Sequence, residues 1–478
     1  MPPHLTPLAS CLAAALALTS SHAGAANRTV TTCDDGGAGS LRSAIASATS
    51  GDTVVFDMGQ MGCSTITLTS GEIVINAEVL TLQGPGANLL TINGNNGVTA
   101  SRIFLDHVDG PSGYSRKLTV NNLTLANGLA SGSSASETIK GGCIQASGDV
   151  TLSGSTVTGC TASNGDGQAA GGAIWSNSLH LQNSAISDSD AFAGADSATI
   201  GGGAYARGEI VVQFSTISGN QAHGQHSSVG PGVGGGLASF GGAAGDVKIS
   251  SSTIFENSAD FGGGLNLLNG TAGRTISIDH TTISDNHAYV STGGIQVYDA
   301  SGGNANVVDC TISGNSSDYF IGGMSSLYAN LLLSNSTIAF NNEAVTPIGD
   351  STTPAGLYAT TVTLQSTVIA KNMDYGHPAD FAATTVLGSN NLIMNTLAGT
   401  TAPAGTLTGN PLLDVLADNG GPTLTHALLD GSPAIGTGNN LAHLASDQRG
   451  PGFARMTGTK TDIGAFQRGD GIFAAGFE

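Results

Sequence analysis

The residues with the clearest capacity for chemistry are an acid and a base that end the phrase "SIDH". They are Asp279 and His280, and Asp309 lies one repeat later in the chain. A carboxylate–imidazole–carboxylate cluster can transfer protons or hold a cation. The spacing places Asp279 on an outer face, and it places His280 and Asp309 at equivalent bends about 5 Å apart. These three are the candidate catalytic residues, although polar side chains on an outer face need no function.

Aromatic residues are the second kind of candidate, because an exposed ring can stack on a sugar. Trp175, the single Trp, and Tyr358 each follow an inward apolar column, so we expect them to face outward. Phe240 and Tyr298 lie three positions after the same column. If the strand after the glycine corner continues to these positions, the two side chains belong to an outward apolar stripe. If the chain has already turned, they belong to the core, and we prefer the core. We predict these four residues as the ligand-binding set.

A repeated phrase supplies the elements that must position these residues. It is built on a central apolar residue, and apolar residues recur five and seven positions before it in every copy. The two earlier apolar residues are two positions apart, which is typical of a strand with one buried face. The step of five from the nearer one to the central residue is odd, so the chain must bend tightly between them. The central residues are Leu125, Val157, Ile186, Ile217, Ile254, Ile283, Ile312, Ile338 and Ile369.

Paired glycines mark a second recurring corner, as in "GGAI" from Gly171 and "GGGL" from Gly262. Each repeat of about thirty residues therefore holds three short strands, and no repeat can bury its apolar face alone. Stacking the repeats predicts an all-β fold, a right-handed parallel β-helix of roughly 10–12 coils.

Two columns of small polar residues acquire structural explanations in this fold. Asparagines recur three positions after the central residue, where they can form a hydrogen-bonded ladder at a corner. Small residues recur two positions before it and face inward, so Cys310 is expected to be a buried substitute for Ser. The ladder is predicted at Asn220, Asn257, Asn286, Asn315, Asn341 and Asn372.

The cysteines can be paired from the same columns. Cys160 occupies the asparagine column and Cys143 a position at the glycine corner, and these two positions should meet. We predict a disulfide between them and, by elimination, a second one between Cys33 and Cys63. Disulfides require an oxidising compartment.

The ends of a β-helix expose unpaired edges unless they are capped. Residues 39–49, "GSLRSAIASAT", have the spacing of an amphipathic helix and are predicted to form an N-terminal capping helix. The strand "DTVVF", residues 52–56, is expected to begin the first coil.

Three stretches resemble known bacterial exported proteins. Residues 33–57 are similar to the opening of β-helix proteins named for a CSLREAI motif, with Gly39 standing at its Cys. The middle resembles the GGAI and FxxN repeats of polymorphic outer-membrane proteins, with Ile in place of Phe. The tail, residues 410–467, resembles the end of the choice-of-anchor Q domain. This resemblance implies a pectin lyase-like fold and a secreted or surface-exposed protein with a terminal sorting signal.

Composition narrows the classes of function. Formal net charge is −20, and residues 141–400 contain as basic residues only Arg207, Lys248, Arg274 and Lys371. Nucleic-acid binding needs clustered Lys and Arg, so it is not expected. We predict no metal site and no cofactor, with Ca²⁺ as the alternative because residues 241–246 and 187–190 weakly resemble calcium loops.

The predicted organisation has five parts. Residues 1–25 form a signal peptide, because a short apolar run precedes a small-residue cleavage pattern. Residues 26–60 form the N-terminal cap, 61–400 the β-helix, 401–468 a C-terminal cap, and 469–478 a sorting-like tail. No transmembrane segment is expected.

We therefore predict a monomeric, exported protein of the bacterial cell surface or medium. It is adhesin-like or structural and binds carbohydrate or another surface component along an extended face. The alternative is a polysaccharide lyase or glycoside hydrolase. The Arg-rich and paired-Asp phrases of such enzymes are absent from the sequence.

Overall fold

A computed structural model describes residues 24–95, 101–106, 115–224, 230–239, 245–269, 273–344 and 353–469. The chain winds into a parallel β-solenoid with three long sheets, which confirms the predicted fold class. Over the described residues, sheet B has 12 strands, one from each successive coil after the first, which is within the predicted range.

Sheet A has 21 strands. In each coil one strand follows the glycine corner and a second follows shortly after, which gives two parallel ladders, A1 and A2. The A1 strands are Ile73–Val74, Phe104–Asp106, Ile144–Ala146, Ile174–Ser176, Ala204–Ala206, Leu237–Ser239, Leu265–Asn269 and Ile295–Asp299. The A2 strands are Asn27–Val30, Thr53–Phe56, Val79–Gln83, Lys117–Asn121, Asp149–Ser153, Ser178–Gln182, Ile210–Gln213, Val247–Ser250, Thr275–Asp279 and Asn304–Val308. Three longer strands join both ladders, Met324–Ser334, Leu357–Gln365 and Phe381–Ser389.

Sheets B and C complete each coil. The sheet B strands are Thr65–Thr67, Thr91–Asn93, Thr124–Ala126, Thr156–Thr158, Ala185–Ser187, Thr216–Ser218, Thr253–Phe255, Thr282–Ser284, Thr311–Ser313, Thr337–Ala339, Val368–Ala370 and Leu392–Ile393. The sheet C strands are Leu129–Gly132, Ile139–Lys140, Thr161–Asn164, Ala169–Ala170, Asp190–Ala193, Thr199–Ile200, Gln221–His223, Gly232–Val233, Ser258–Phe261, His287–Ser291, Ser316–Ser317, Asn342–Glu343, Met373–Asp374 and His377–Pro378. Leu413–Ala417 and Thr425–Leu428 form a separate antiparallel pair.

The bend between ladder A2 and sheet B explains the odd step of five in the sequence. One residue at this bend has a left-handed backbone in successive coils, with φ of 48° at Phe214, His280 and Asp309 alike. A single left-handed residue turns the chain sharply, so the inward face is kept on both sides of the bend. The central apolar residues therefore lie in the core, where Ile217, Ile254 and others are fully buried.

The predicted asparagine ladder is present at the corner between sheets B and C. Asn286 donates its amide Nδ2 to Asn315 Oδ1 at 2.9 Å and to the carbonyl of Ile254 at 2.9 Å. Its own Oδ1 accepts from Asn257 Nδ2 at 2.9 Å. The ladder ends where Asn372 donates to Asp380 at 2.8 Å. Because every donor and acceptor is matched, burial of these amides costs little.

The glycine corners allow the coils to approach closely. A Cβ added at Gly264 would lie 2.7 Å from the carbonyl oxygen of Gly294 in the next coil. Gly262, two residues earlier, has a φ of +64°. Both positions therefore require glycine.

The described helices are short, Leu41–Ala46 and Met58–Met61. Neither of these two helices has the length and apolar composition that a bilayer crossing requires. The first begins at the predicted place, and its residues Leu41 and Ile45 are buried in the core. That it caps the solenoid stays a prediction. The first strand is Asn27–Val30, which pairs with Thr53–Phe56, so the sheet begins earlier than "DTVVF".

The C-terminal segment, residues 411–467, makes contacts with sheet B, and that residues 401–468 cap the solenoid stays a prediction. Thr282 donates its hydroxyl to the carbonyl of Leu424 at 2.6 Å, and Thr311 donates to Gln448 Oε1 at 2.6 Å. The backbone N–H of Ala465 donates to the hydroxyl of Thr337 at 3.1 Å. The segment therefore lies along the outer face of sheet B over successive coils. The boundaries of the other predicted parts stay predictions, and residues 1–23 and 470–478 lie outside the described chain.

Candidate ligand-binding groove

A groove runs along the outer face of ladder A1 in the second half of the solenoid. Its floor consists of two columns of outward side chains, in register on consecutive strands. In-register pairing places equivalent side chains about 4.8 Å apart along the solenoid. The first column is Asn266, Gln296, Ser325 and Tyr358, and the second is Leu268, Tyr298 and Leu327.

Apolar residues from the end of sheet C form one wall. Ile200, Val233 and Phe261 each stand immediately before a glycine corner and pair with one another from coil to coil. The corner turns the chain toward ladder A1, so these side chains lie beside its outer face and line the groove. Ser291 is the register partner of Phe261 in the next coil, and Phe320 and Ile321 continue the wall one coil later.

The groove consists of two adjoining cavities of about 540 Å³ and 260 Å³. Both are lined by Phe261 and Gln296, which makes the two cavities continuous. No Asp, Glu, His, Lys or Arg occurs among the described residues that line them. The groove is therefore concave, mostly apolar and provided with a few polar groups, as small-molecule sites usually are.

The polar groups on the floor are held by hydrogen bonds. Asn266 Nδ2 donates to Gln296 Oε1 at 2.8 Å, and the hydroxyls of Thr292 and Ser325 lie 2.9 Å apart. The ring of Tyr298 contacts Tyr328 edge-on, with centroids 5.3 Å apart. These contacts limit the rotamers of the floor side chains, which lowers the entropy lost on binding a ligand.

The structure brings two of the four predicted ligand-binding residues together. Tyr298 and Tyr358 line the two adjoining cavities. The apolar stripe at Leu268 and Tyr298 lies on the outer face, so the preference for the core was wrong. Phe240 lies outside the described residues.

The prediction that Trp175 is exposed was wrong. Its side chain belongs to the outer face of ladder A1, but only 6% of the residue is accessible. The ammonium of Lys140 lies 4.5 Å from the centre of the indole ring, and Tyr205 lies beside it in the next coil. The side chain of Trp175 points outward from the strand but does not reach solvent, because neighbouring side chains cover this part of the face.

The cluster of Asp279, His280 and Asp309 exists but differs from the predicted open site. His280 Nδ1 lies 2.9 Å from Asp279, and its Nε2 lies 3.8 Å from Asp309. Asp309 has 0% exposure and accepts from Arg455 Nη1 at 3.2 Å. Arg455 belongs to the C-terminal segment and is also fully buried. The segment therefore covers one carboxylate of the cluster.

The electrostatics of this cluster follow from its burial. The hydrogen bond to Asp279 raises the pKa of His280, and the charge of Asp309 adds to the effect. Burial raises the pKa of Asp309, while the charges of Arg455 and His280 lower it in part. A buried carboxylate with a buried cationic partner is a structural link, and substrate could reach only Asp279 and His280. Catalysis by these residues stays a prediction that the geometry does not favour.

Both predicted disulfides are present, Cys33–Cys63 and Cys143–Cys160. Cys310 is buried, as predicted, and burial raises the pKa of its thiol far above the ordinary value. It is therefore unreactive in the folded protein.

The calcium candidates have protein partners. Asp188 accepts from Thr158 at 3.4 Å, Asp190 lies 3.5 Å from His223, and Asp246 lies 3.6 Å from Lys248. Residues 241–244 lie outside the described chain. Over the part of the chain that the structure describes, no three His, Cys, Asp or Glu side chains are grouped for metal binding.

The residues missed by the sequence analysis are the wall of the groove. Ile200, Val233 and Phe261 share one position, directly before the paired glycines. The column is apolar from Ala170 to Phe261 but is interrupted by Lys140 and Thr292 on either side, so its signal in the sequence is weaker than that of the core columns.

Comparison with known proteins gives little further information. No protein-family model matches the chain, and no curated protein matches it. Among solved structures the chain is similar to the pectate lyase Pel9A, with 12% identity over 93% of this chain and 97% of that chain, at a TM-score of 0.41.

Proposed function

We propose that the protein is an extracellular, adhesin-like protein that binds carbohydrate in the groove on ladder A1. The observation that supports this most directly is the pair of adjoining cavities, with Tyr298 and Tyr358 on the floor beside the amides of Asn266 and Gln296. Aromatic rings offer an apolar face to a sugar ring, and the amide of Gln296 can donate to and accept from its hydroxyls. The disulfides agree with an oxidising location.

Binding is favoured over catalysis because general acid–base chemistry needs titratable groups beside the substrate. The described groove lining offers none except tyrosine hydroxyls. The alternative activity, a polysaccharide lyase or hydrolase, would have to use Asp279 and His280, which do not line the groove.

The proposal is tested by measuring binding of the purified protein to a panel of polysaccharides by affinity electrophoresis and calorimetry. Tyr298→Ala removes an aromatic ring from the floor of the groove, together with its contact to Tyr328. We expect it to weaken binding about fivefold, because a stacked aromatic group contributes roughly 1 kcal/mol.

Phe214→Ala is the matched control. Phe214 is 55% exposed and lies at the bend outside the groove, so its loss should leave binding unchanged. Equal loss in both variants would contradict the groove as the site. Release of unsaturated or reducing ends from any polymer, abolished by Asp279→Ala, would support the enzymatic alternative.

A further inference from the structure

The charge of the groove indicates which carbohydrates it can accept. The basic residues of the region are Lys140, Arg207, Lys248, Arg274 and Lys371, and residues 140–400 contain no others. None of these lines either cavity. Lys140 shares the register column of Ile200 two coils away, and its ammonium lies over the ring of Trp175. Lys248 lies near Glu209 and Asp246, and Lys371 lies over the ring of Phe340. Because this count comes from the sequence, it also covers the segments that the structure does not describe.

A carboxylate entering this groove would lose water without gaining a cation. The walls at Val233, Phe261 and Phe320 are apolar, and an ionised group moved into such surroundings is costly unless it is paired. The formal net charge of −20 adds a long-range repulsion toward polyanions.

The amides on the floor match a hydroxyl group better than a carboxylate. Asn266 uses its Nδ2 on Gln296 and approaches the carbonyl of Phe261 at 3.5 Å. Both of these partners are acceptors, so the Asn266 amide must be oriented with nitrogen toward them. Its Oδ1 is buried and has no hydrogen-bond partner among the described residues. The partial negative charge on this carbonyl oxygen, which lies beneath the floor, disfavours a carboxylate placed above it.

We propose that the groove selects neutral, hydroxyl-bearing glycans and excludes glycans that carry carboxylates. This inference rests on the proposed carbohydrate-binding function and assigns the class of ligand at the same site. Gln296, which lines both cavities, is the specificity-determining position.

The test uses polymers that differ only in charge. Xylan, glucan, mannan and fully methyl-esterified polygalacturonan are compared with counterparts that bear free carboxylates, including polygalacturonate itself. We expect at least one neutral polymer to bind the full-length protein at least tenfold more tightly than its acidic counterpart. The difference should shrink as salt is added, because part of it is long-range repulsion.

A charge introduced on the floor should reverse the selection. Gln296→Lys places an ammonium between the two cavities, and we expect binding of the acidic counterpart to increase at least tenfold. Asn306→Lys is the control, since Asn306 lies on the outer face of ladder A2 away from the groove. It adds the same charge and should not change the preference. Circular dichroism confirms that each variant is folded.

The outcomes separate the two proposals. If acidic polymers bind wild type as tightly as neutral ones, the selectivity is overturned and carbohydrate binding stands. If Asn306→Lys and Gln296→Lys act alike, the selectivity arises from net charge and not from the groove. If no polymer of either kind binds, the proposed function fails and the inference fails with it.

Discussion

At the scale of single residues, the least expected feature is a pair of acids inside the solenoid. Glu343 and Asp374 are register partners on adjacent coils of sheet C, and they are 4% and 8% exposed. Their column is otherwise Ala or Ser, as at Ala288 and Ser317. Burial raises the pKa of Glu343 to about 8, and the charge of Asp374 contributes. The pair therefore holds a proton at neutral pH.

This pair predicts a pH-dependent stability. A carboxyl with a raised pKa in the folded state binds its proton more tightly folded than unfolded. The free energy of unfolding should therefore fall as the pH rises from about 4.5 to about 8. Glu343→Gln cannot ionise, so its melting temperature should exceed that of wild type by several degrees at pH 8 and match it near pH 4. Thermal unfolding across this range checks the prediction.

Glu256→Gln serves as the control for this substitution, because Glu256 is exposed on the solenoid surface. Its unfolding curve should follow wild type at every pH. A Glu343→Gln protein that is less stable than wild type at pH 8 would contradict the assignment.

At the scale of elements, the C-terminal segment is attached to the solenoid by many polar links. His426 Nδ1 donates to the carbonyl of Asp414 at 2.7 Å, so its Nε2 accepts from Ser313 at 2.8 Å. Burial lowers the pKa of His426, which keeps the imidazole neutral. Apolar contacts add to these links, with Ile463 and Leu428 packed near Val368.

The Arg455–Asp309 pair should be the most sensitive of these links. Arg455→Met leaves the buried Asp309 with His280, at 3.8 Å, as its remaining cationic neighbour, and loss of one partner costs about 3–5 kcal/mol in comparable buried pairs. We expect faster amide hydrogen exchange across residues 411–467, with ladder A1 unaffected. The double variant Arg455→Met/Asp309→Asn should recover part of the protection, because Asn carries no charge and tolerates the left-handed backbone at this bend.

Arg468→Met provides the comparison for a surface pair. Arg468 and its partner Asp430 are both exposed, and such pairs contribute about 0–1 kcal/mol. Its exchange pattern should resemble wild type. Unchanged exchange in Arg455→Met would show that the other hydrogen bonds and the apolar contacts hold the segment without this ion pair.

At the scale of the whole molecule, each coil contacts mainly its neighbours, so stability should behave as a chain of linked units. The asparagine ladder couples these units through buried amides. Asn286 lies in the middle of the ladder, and Asn372 lies near its end.

The position of a ladder defect should therefore determine how the protein unfolds. Asn286→Ala removes several buried hydrogen bonds at about 1 kcal/mol each and interrupts the coupling. We expect unfolding in denaturant to separate into two transitions. Asn372→Ala should weaken the last coils only and retain one main transition. A single transition of unchanged steepness in Asn286→Ala would contradict this model.

Much of the solenoid could be predicted from the sequence because each column is repeated many times. Ile217 and Asn220 have the same surroundings as Ile254 and Asn257, so one geometric argument covers every coil. The disulfide Cys143–Cys160 followed from the same columns. The two tyrosines of the groove followed in part, because strand periodicity determines the face of a side chain.

Contacts between segments that do not occupy equivalent positions in the repeat could be known only from the tertiary structure. The burial of Trp175 depends on Lys140, and the burial of Asp309 depends on Arg455, which is 146 residues away in the chain. The groove exists because the wall at Phe261 stands beside a floor at Gln296 in the next coil. Local periodicity determines which way a side chain points, whereas long-range packing determines what covers it.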